Sequence, residues 1–100
     1  MKLLVIYDIS DDNLRLRASE LLKDFGLLRI QYSAFADDVS KNRREMLEIR
    51  LRSDVLNHRS VVDTDRVYLL PTCDACFGQA TFLGSKSRFP DRERDRFEVV

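Results

Sequence analysis

Four aliphatic residues and a tyrosine, Leu3 to Tyr7, run without interruption into Asp8, and Ile-Ser-Asp-Asp follows. A short unbroken apolar run bounded by Ser and Asp predicts a strand buried on both faces. A carboxylate at the lip of such a strand is costly unless it is paired, hydrogen-bonded or holding a metal, which makes Asp8 the first candidate for chemistry. Beyond it, Ser10, Asp11 and Asp12 carry oxygens that can cap a helix, and acids suit its positive end. Leu14, Ala18, Leu21, Leu22 and Phe25 then recur at helical spacing, an apolar stripe beginning near residue 12 that Gly26 can close with a left-handed cap.

From Leu27 to Val39 the period changes to two. Leu28, Ile30, Tyr32, Ala34 and Ala36 share one face, and Arg29, Gln31, Ser33, Phe35 and Asp37 share the other, which reads as a long strand or the two arms of a hairpin. Ser40 caps a second helix, Lys41 to Leu56, whose Leu47, Leu51 and Val55 stack beneath a charged surface. Residues 57–65 form a polar connection. Arg66 to Leu70 makes a further strand that Pro71 stops, and a short strand is expected around Ala80 to Leu83. Residues 85–96 interleave arginines with acids in the manner of a solvated linker, and Phe97 to Val100 can form a last strand.

This order describes an α+β domain over residues 1–84, a ferredoxin-like βαββαβ unit with two helices on one face of a small antiparallel sheet. Residues 85–100 add a polar linker and an extra C-terminal strand. The other sheet face is left uncovered and is expected to carry Arg29 and Phe35. A bare face bearing a large aromatic invites a partner, most simply a second copy of the chain.

Composition narrows the class of function. The chain has 100 residues, enough for one modest core, and its 17 basic residues balance 17 acidic ones, so it is not a polycation that coats nucleic acid. Any phosphate-binding surface must be a local patch. Arginine outnumbers lysine 13 to 4, and the guanidinium fork suits phosphate better than an ammonium point charge. No apolar stretch approaches the ~20 residues of a membrane span and the start has no signal-peptide pattern, so a cytoplasmic protein without membrane contact is expected.

Tyr-Asp-Ile-Ser at 7–10, the arginines at 15 and 17, Gly26, and Arg-Ile-Gln-Tyr-Ser-Ala-Phe at 29–35 together resemble the family of CRISPR-associated protein two, the small subunit of spacer acquisition. The likeness continues through Ser40, the strand after Asp65, the Cys-x-x-Cys and the Phe-Leu-Gly at 82–84. It implies a ferredoxin-like homodimer in which the last strand extends the partner's sheet and two copies of Asp8 face each other across a cleft. It also implies a metal-dependent endonuclease for single-stranded RNA or double-stranded DNA, with Asp8 as ligand for Mg2+ or Mn2+. The family's other functional positions fall on Tyr7, Arg15, Arg17, Arg29 and Phe35. The alternative it implies is a non-catalytic dimeric scaffold that bridges the CRISPR integrase subunits and binds DNA.

Plainer roles stand beside these. Asp8 can cap a turn or pair with an arginine, Tyr7 can simply pack, and Arg29 and Phe35 can belong to a dimer interface without chemistry. Arg15 and Arg17 lie about 200° apart around a helix, so they cannot both face one cleft, and Arg17 is the one expected to reach it. Cys73 and Cys76 supply two of the four ligands of a structural zinc site, so their plain expectation is two small thiols that pack. His58 has no orienting partner in sight and is expected to be exposed. Asp37 stands where relatives commonly place Gly; it is expected in a turn, where its charge would weaken phosphate binding nearby. A metabolite-binding regulatory domain is disfavoured by the lack of paired glycines.

Overall fold

The computed structural model describes residues 1–81 and Leu83. Strand β1 (Lys2–Asp8) leads through a cap at Asp11 into helix α1 (Asp12–Asp24). Strands β2 (Leu28–Gln31) and β3 (Ala34–Asp38) follow, then helix α2 (Lys41–Leu51), which continues as a π-helical turn over Arg52–Leu56. Strand β4 (Arg66–Thr72) and the short helix α3 (Asp74–Phe77) complete the described chain. The sheet order is β2-β3-β1-β4, with every pairing antiparallel. This is the ferredoxin-like arrangement expected from the element order.

The caps fall where the side chains allow them. Asp11 accepts the Leu14 amide at 3.0 Å, Ser40 accepts that of Arg43 at 3.2 Å, and Gly26 ends α1 at φ +86°. Leu14, Ala18, Leu21 and Leu22 of α1 and Leu47, Leu51 and Val55 beyond them are buried against Leu3, Val5, Tyr7 and Phe35. Period-two alternation puts those four sheet residues on one face, so both helices cover a single side.

Several expectations change. The first strand is not buried on both faces: Leu3, Val5 and Tyr7 are buried while Leu4 and Ile6 are half-buried, because α1 and α2 both lie on one side and, among the described residues, the other side receives only Phe77 of the short α3. The segment from Leu27 to Val39 is a hairpin turning at Tyr32 and Ser33, with a register shift between Arg29 and Gln31. Phe35 does not lie on the bare face. It pairs in register with Val5 and is completely buried beneath the helices, and Arg29, its own register partner, follows it to that side. Period two separates the faces of a strand without saying which one the helices take.

The second helix is α-helical only to Leu51. Strand β4 runs through Pro71 to Thr72, which is possible because it is a sheet edge and the missing amide is not needed there. The strand expected around Ala80 to Leu83 is not formed at Ala80 or Thr81; α3 and its Gly78 cap precede them. Asp37 is a buried residue within β3 rather than a turn residue, its Oδ1 accepting the Asp38 amide at 2.7 Å. The linker and last strand expected over 85–100 lie outside the described residues. No helix among the described residues is long and apolar enough to cross a membrane.

The face opposite α1 and α2 is apolar and, among the described residues, largely open. Leu4, Leu28, Ile30 and Phe77 pack about Ala36, while Tyr68 and Leu70 stand beside them 48% and 47% exposed. Tyr68 pairs in register with Ile6 and Leu70 with Leu4, which sets them on the same side.

Candidate functional site

The six candidate residues divide between two sides of the sheet. Lys2, Leu4, Ile6 and Asp8 alternate onto the open face, so the Asp8 carboxylate stands at the end of the apolar strip formed with Tyr68 and Leu70. Asp8 is exposed and makes no hydrogen bond or ion pair with any described residue. The burial that was expected to make its charge costly stops one residue earlier, at Tyr7. Directly across from Asp8 in the β1–β4 register lies Arg66, also exposed.

The backbone that follows Asp8 is clamped. Ile9 is buried, and the Arg15 guanidinium donates to the carbonyls of Ile9 and Ser10, each at 3.0 Å, while pairing with Asp12. From the opposite side Asp65 accepts the Ser10 amide at 2.9 Å and the Val62 amide at 3.0 Å. These two amide bonds hold the Asp65 carboxyl below the ordinary aspartate range. Sequence reasoning missed Asp65 and Arg66 as neighbours of Asp8. The signal was present: an antiparallel β4 must bring the end of the 57–65 connection back to the end of β1.

Tyr7, Arg29 and Phe35 form a stack under the β2–β3 turn. The Tyr7 and Phe35 rings lie 6.3 Å apart at 26°, and the Arg29 guanidinium sits 5.0 Å above the Phe35 ring. Three donors converge on the turn: the Tyr7 amide reaches the Ser33 carbonyl at 3.0 Å, while the Tyr7 hydroxyl at 3.4 Å and Arg29 at 3.2 Å both reach the Tyr32 carbonyl. Burial raises the Tyr7 phenol above its ordinary range, and Arg29 and Arg15 offset this only in part. The Tyr7 hydroxyl thus serves as a donor to the turn.

A cleft of about 510 Å³ opens beside this stack, lined by Tyr7, Arg15, Ser19, Arg29 and the exposed Tyr32 among others. Asp8 does not line it. Arg15, not Arg17, reaches it, because the helix turns Arg17 toward the π-helical segment, where its guanidinium donates to the Asp54 carbonyl at 3.3 Å. His58 is exposed as expected, with Nδ1 accepting the Ser60 amide at 3.1 Å. Cys73 and Cys76 are both exposed free thiols rather than packed ones.

The described residues contain no group of three or more His, Cys, Asp or Glu side chains able to hold a metal. Asp8 offers hard oxygen of the kind Mg2+ prefers, unengaged by any other described residue, and that ion is commonly held by one or two carboxylates with water and substrate phosphate completing its shell. The donor chemistry of this one carboxylate suits that ion.

Residues 1–80 match the family model described as CRISPR associated protein Cas2. The chain belongs to the Cas2 family. It is 43% identical over 74 residues to the CRISPR-associated endoribonuclease Cas2 of Korarchaeum cryptofilum, covering 74% of each chain. It is 39% identical over 82 residues to CRISPR-associated endoribonuclease Cas2 1 of Archaeoglobus fulgidus, covering 82% of each. A solved crystal structure of Cas2 superposes with a TM-score of 0.58 at 29% identity, covering 91% of both chains. The ferredoxin-like fold is thus the fold of a Cas2 protein, and the chain is CRISPR-associated, with curated relatives that are named endoribonucleases.

Proposed function

We propose that this Cas2 protein is a metal-dependent endonuclease of CRISPR spacer acquisition that cleaves phosphodiester bonds of single-stranded RNA. The observation that carries this reading is the Asp8 carboxylate itself: exposed, without a partner among the described residues, and fixed by a clamped backbone at the end of an apolar open face. The names of the curated relatives support RNA as the substrate class; double-stranded DNA is the alternative substrate.

The apolar strip of Leu4, Ile6, Tyr68 and Leu70 is the surface by which two copies associate in this reading. A two-fold axis through that strip repeats Asp8 on the partner, so that two carboxylates border one cleft. Mg2+ or Mn2+ held there would polarise the phosphodiester and lower the pKa of an attacking water. Asp8 contributes the anionic oxygens, and the Arg15 and Asp65 clamps keep its backbone from shifting as charge gathers around it. Arg66, in register opposite Asp8, is placed to meet a phosphate oxygen beside the scissile bond.

A second reading is favoured by one specific observation, that the described residues gather no group of three or more His, Cys, Asp or Glu side chains able to hold a metal. In that reading the dimer is a non-catalytic scaffold that bridges CRISPR integrase subunits and holds DNA. Cleavage assays with single-stranded RNA and double-stranded DNA, with Mg2+, Mn2+ or chelator, separate the two. The nuclease reading expects RNA cleavage that needs the metal and disappears in Asp8→Asn with the dimer intact by light scattering. Cleavage unaffected by chelator, or by the substitution, overturns it.

A further inference from the structure

Cys73 and Cys76 play no part in the Asp8 site, yet the chain holds them together in a defined way. Cys73 leaves β4 in an extended conformation, φ −72° and ψ 156°, and caps α3 with its own sulfur: the Cys76 amide donates to Cys73 Sγ at 3.2 Å. The Phe77 amide donates to the Cys73 carbonyl at 3.0 Å and closes the same turn. Both ends of the segment are anchored. Thr72 pairs with Lys2 in the sheet, and Phe77 packs among the open-face residues with the Lys2 ammonium 5.9 Å from its ring centroid.

Both thiols are exposed, so a reagent can reach them, and the pair is separated by two residues, the spacing of dithiols that interconvert with a disulfide. We propose that Cys73 and Cys76 form a dithiol site that closes reversibly into an intrachain disulfide by exchange with a small-molecule disulfide of the glutathione type. The Cys76 amide that donates to Cys73 Sγ favours the thiolate at Cys73 and so orders the events. Hydrogen bonding from Cys76, its amide included, holds Cys73 below the ordinary thiol range, while the neighbouring Cys73 sulfur holds Cys76 above it. Cys73 is thus the more ionised sulfur and the attacking one.

In the first step the Cys73 thiolate forms a bond to one sulfur of glutathione disulfide, and the sulfur–sulfur bond of the reagent breaks to release one glutathione. In the second, Cys76 loses its proton and attacks Cys73 Sγ, releasing the second glutathione. Two protein thiols are oxidised by two electrons, the reagent disulfide is reduced to two thiols, and the two protons end on them. Because Cys76 is held against Cys73, the mixed disulfide should be short-lived.

The test is to incubate the full chain with glutathione disulfide, alkylate the remaining thiols, and read the intact mass beside Cys73→Ser and Cys76→Ser treated identically. The native chain is expected to lose the mass of two hydrogens, take up no alkylating group, migrate as a single chain without reductant, and recover both thiols with dithiothreitol. Each single-cysteine variant is expected to retain one glutathione. A native chain that keeps glutathione as stable mixed disulfides, links to a second chain, or stays fully alkylatable would overturn the proposal.

Discussion

Tyr7 and Asp8 are adjacent in sequence and lie on opposite sides of the sheet, the tyrosine buried under the helices and the aspartate exposed on the open face. This one-residue alternation separates the residues that hold the β2–β3 turn from the residue available for chemistry. Tyr7→Phe removes only a 3.4 Å hydrogen bond and should cost about 1 kcal/mol or less, with nuclease activity retained. Tyr7→Ala, which empties part of the core, should cost about 3–5 kcal/mol. Denaturant unfolding of the two variants beside an RNA-cleavage assay checks both.

Phe35 should behave as a core residue. Phe35→Ala is expected to lose about 3–5 kcal/mol, against roughly 1–2 for the better-filling Phe35→Leu. Arg29→Ala, which removes an exposed cation from the ring face, should cost about 0.5–1 kcal/mol. A thermal melt that places Phe35→Ala level with Arg29→Ala would contradict the packing described.

Asp65 ties the loop after Asp8 to the start of β4, and its folded carboxyl titrates below the ordinary aspartate range. A depressed folded pKa adds stability that is complete above the unfolded value and is lost as pH falls through the folded one. Asp65→Asn should therefore leave less to lose on the acid side, flattening the acid limb of a melting-temperature profile below the ordinary aspartate range. An acid limb as steep as that of the native chain would count against the clamp.

The open face should govern association. Leu70→Asp and Tyr68→Glu alter residues nearly half exposed in the single chain, so neither should disturb the fold by circular dichroism. Each is expected to convert a dimer to a monomer in light scattering, and nuclease activity should fall with the dimer. A dimer that survives both changes would place the interface elsewhere.

Much of this was legible beforehand because period and capping are local properties. The α1 stripe, the caps at Asp11, Ser40 and Gly26, and the shared face of Arg29 and Phe35 all follow from spacing along one segment. What could not be read was which face the helices would take, since that depends on how the β1 side chains and both helices meet in space. The same lack hid Asp65 and Arg66, which are near Asp8 only because β4 returns antiparallel to β1. Arg15 and Arg17 show the limit from another side: their angular separation was correct, but which one met the cleft depended on the direction of the whole helix.

The central claim is that Asp8 carries the chemistry while Tyr7, one residue away, holds the fold. Metal-dependent RNA cleavage by Asp8→Asn and Tyr7→Phe, purified identically and matched for melting temperature, tests it most directly. The expected result is that Asp8→Asn falls to background at native stability while Tyr7→Phe cleaves nearly as the native chain does. An active Asp8→Asn, or an inactive Tyr7→Phe that melts like the native chain, would contradict the claim.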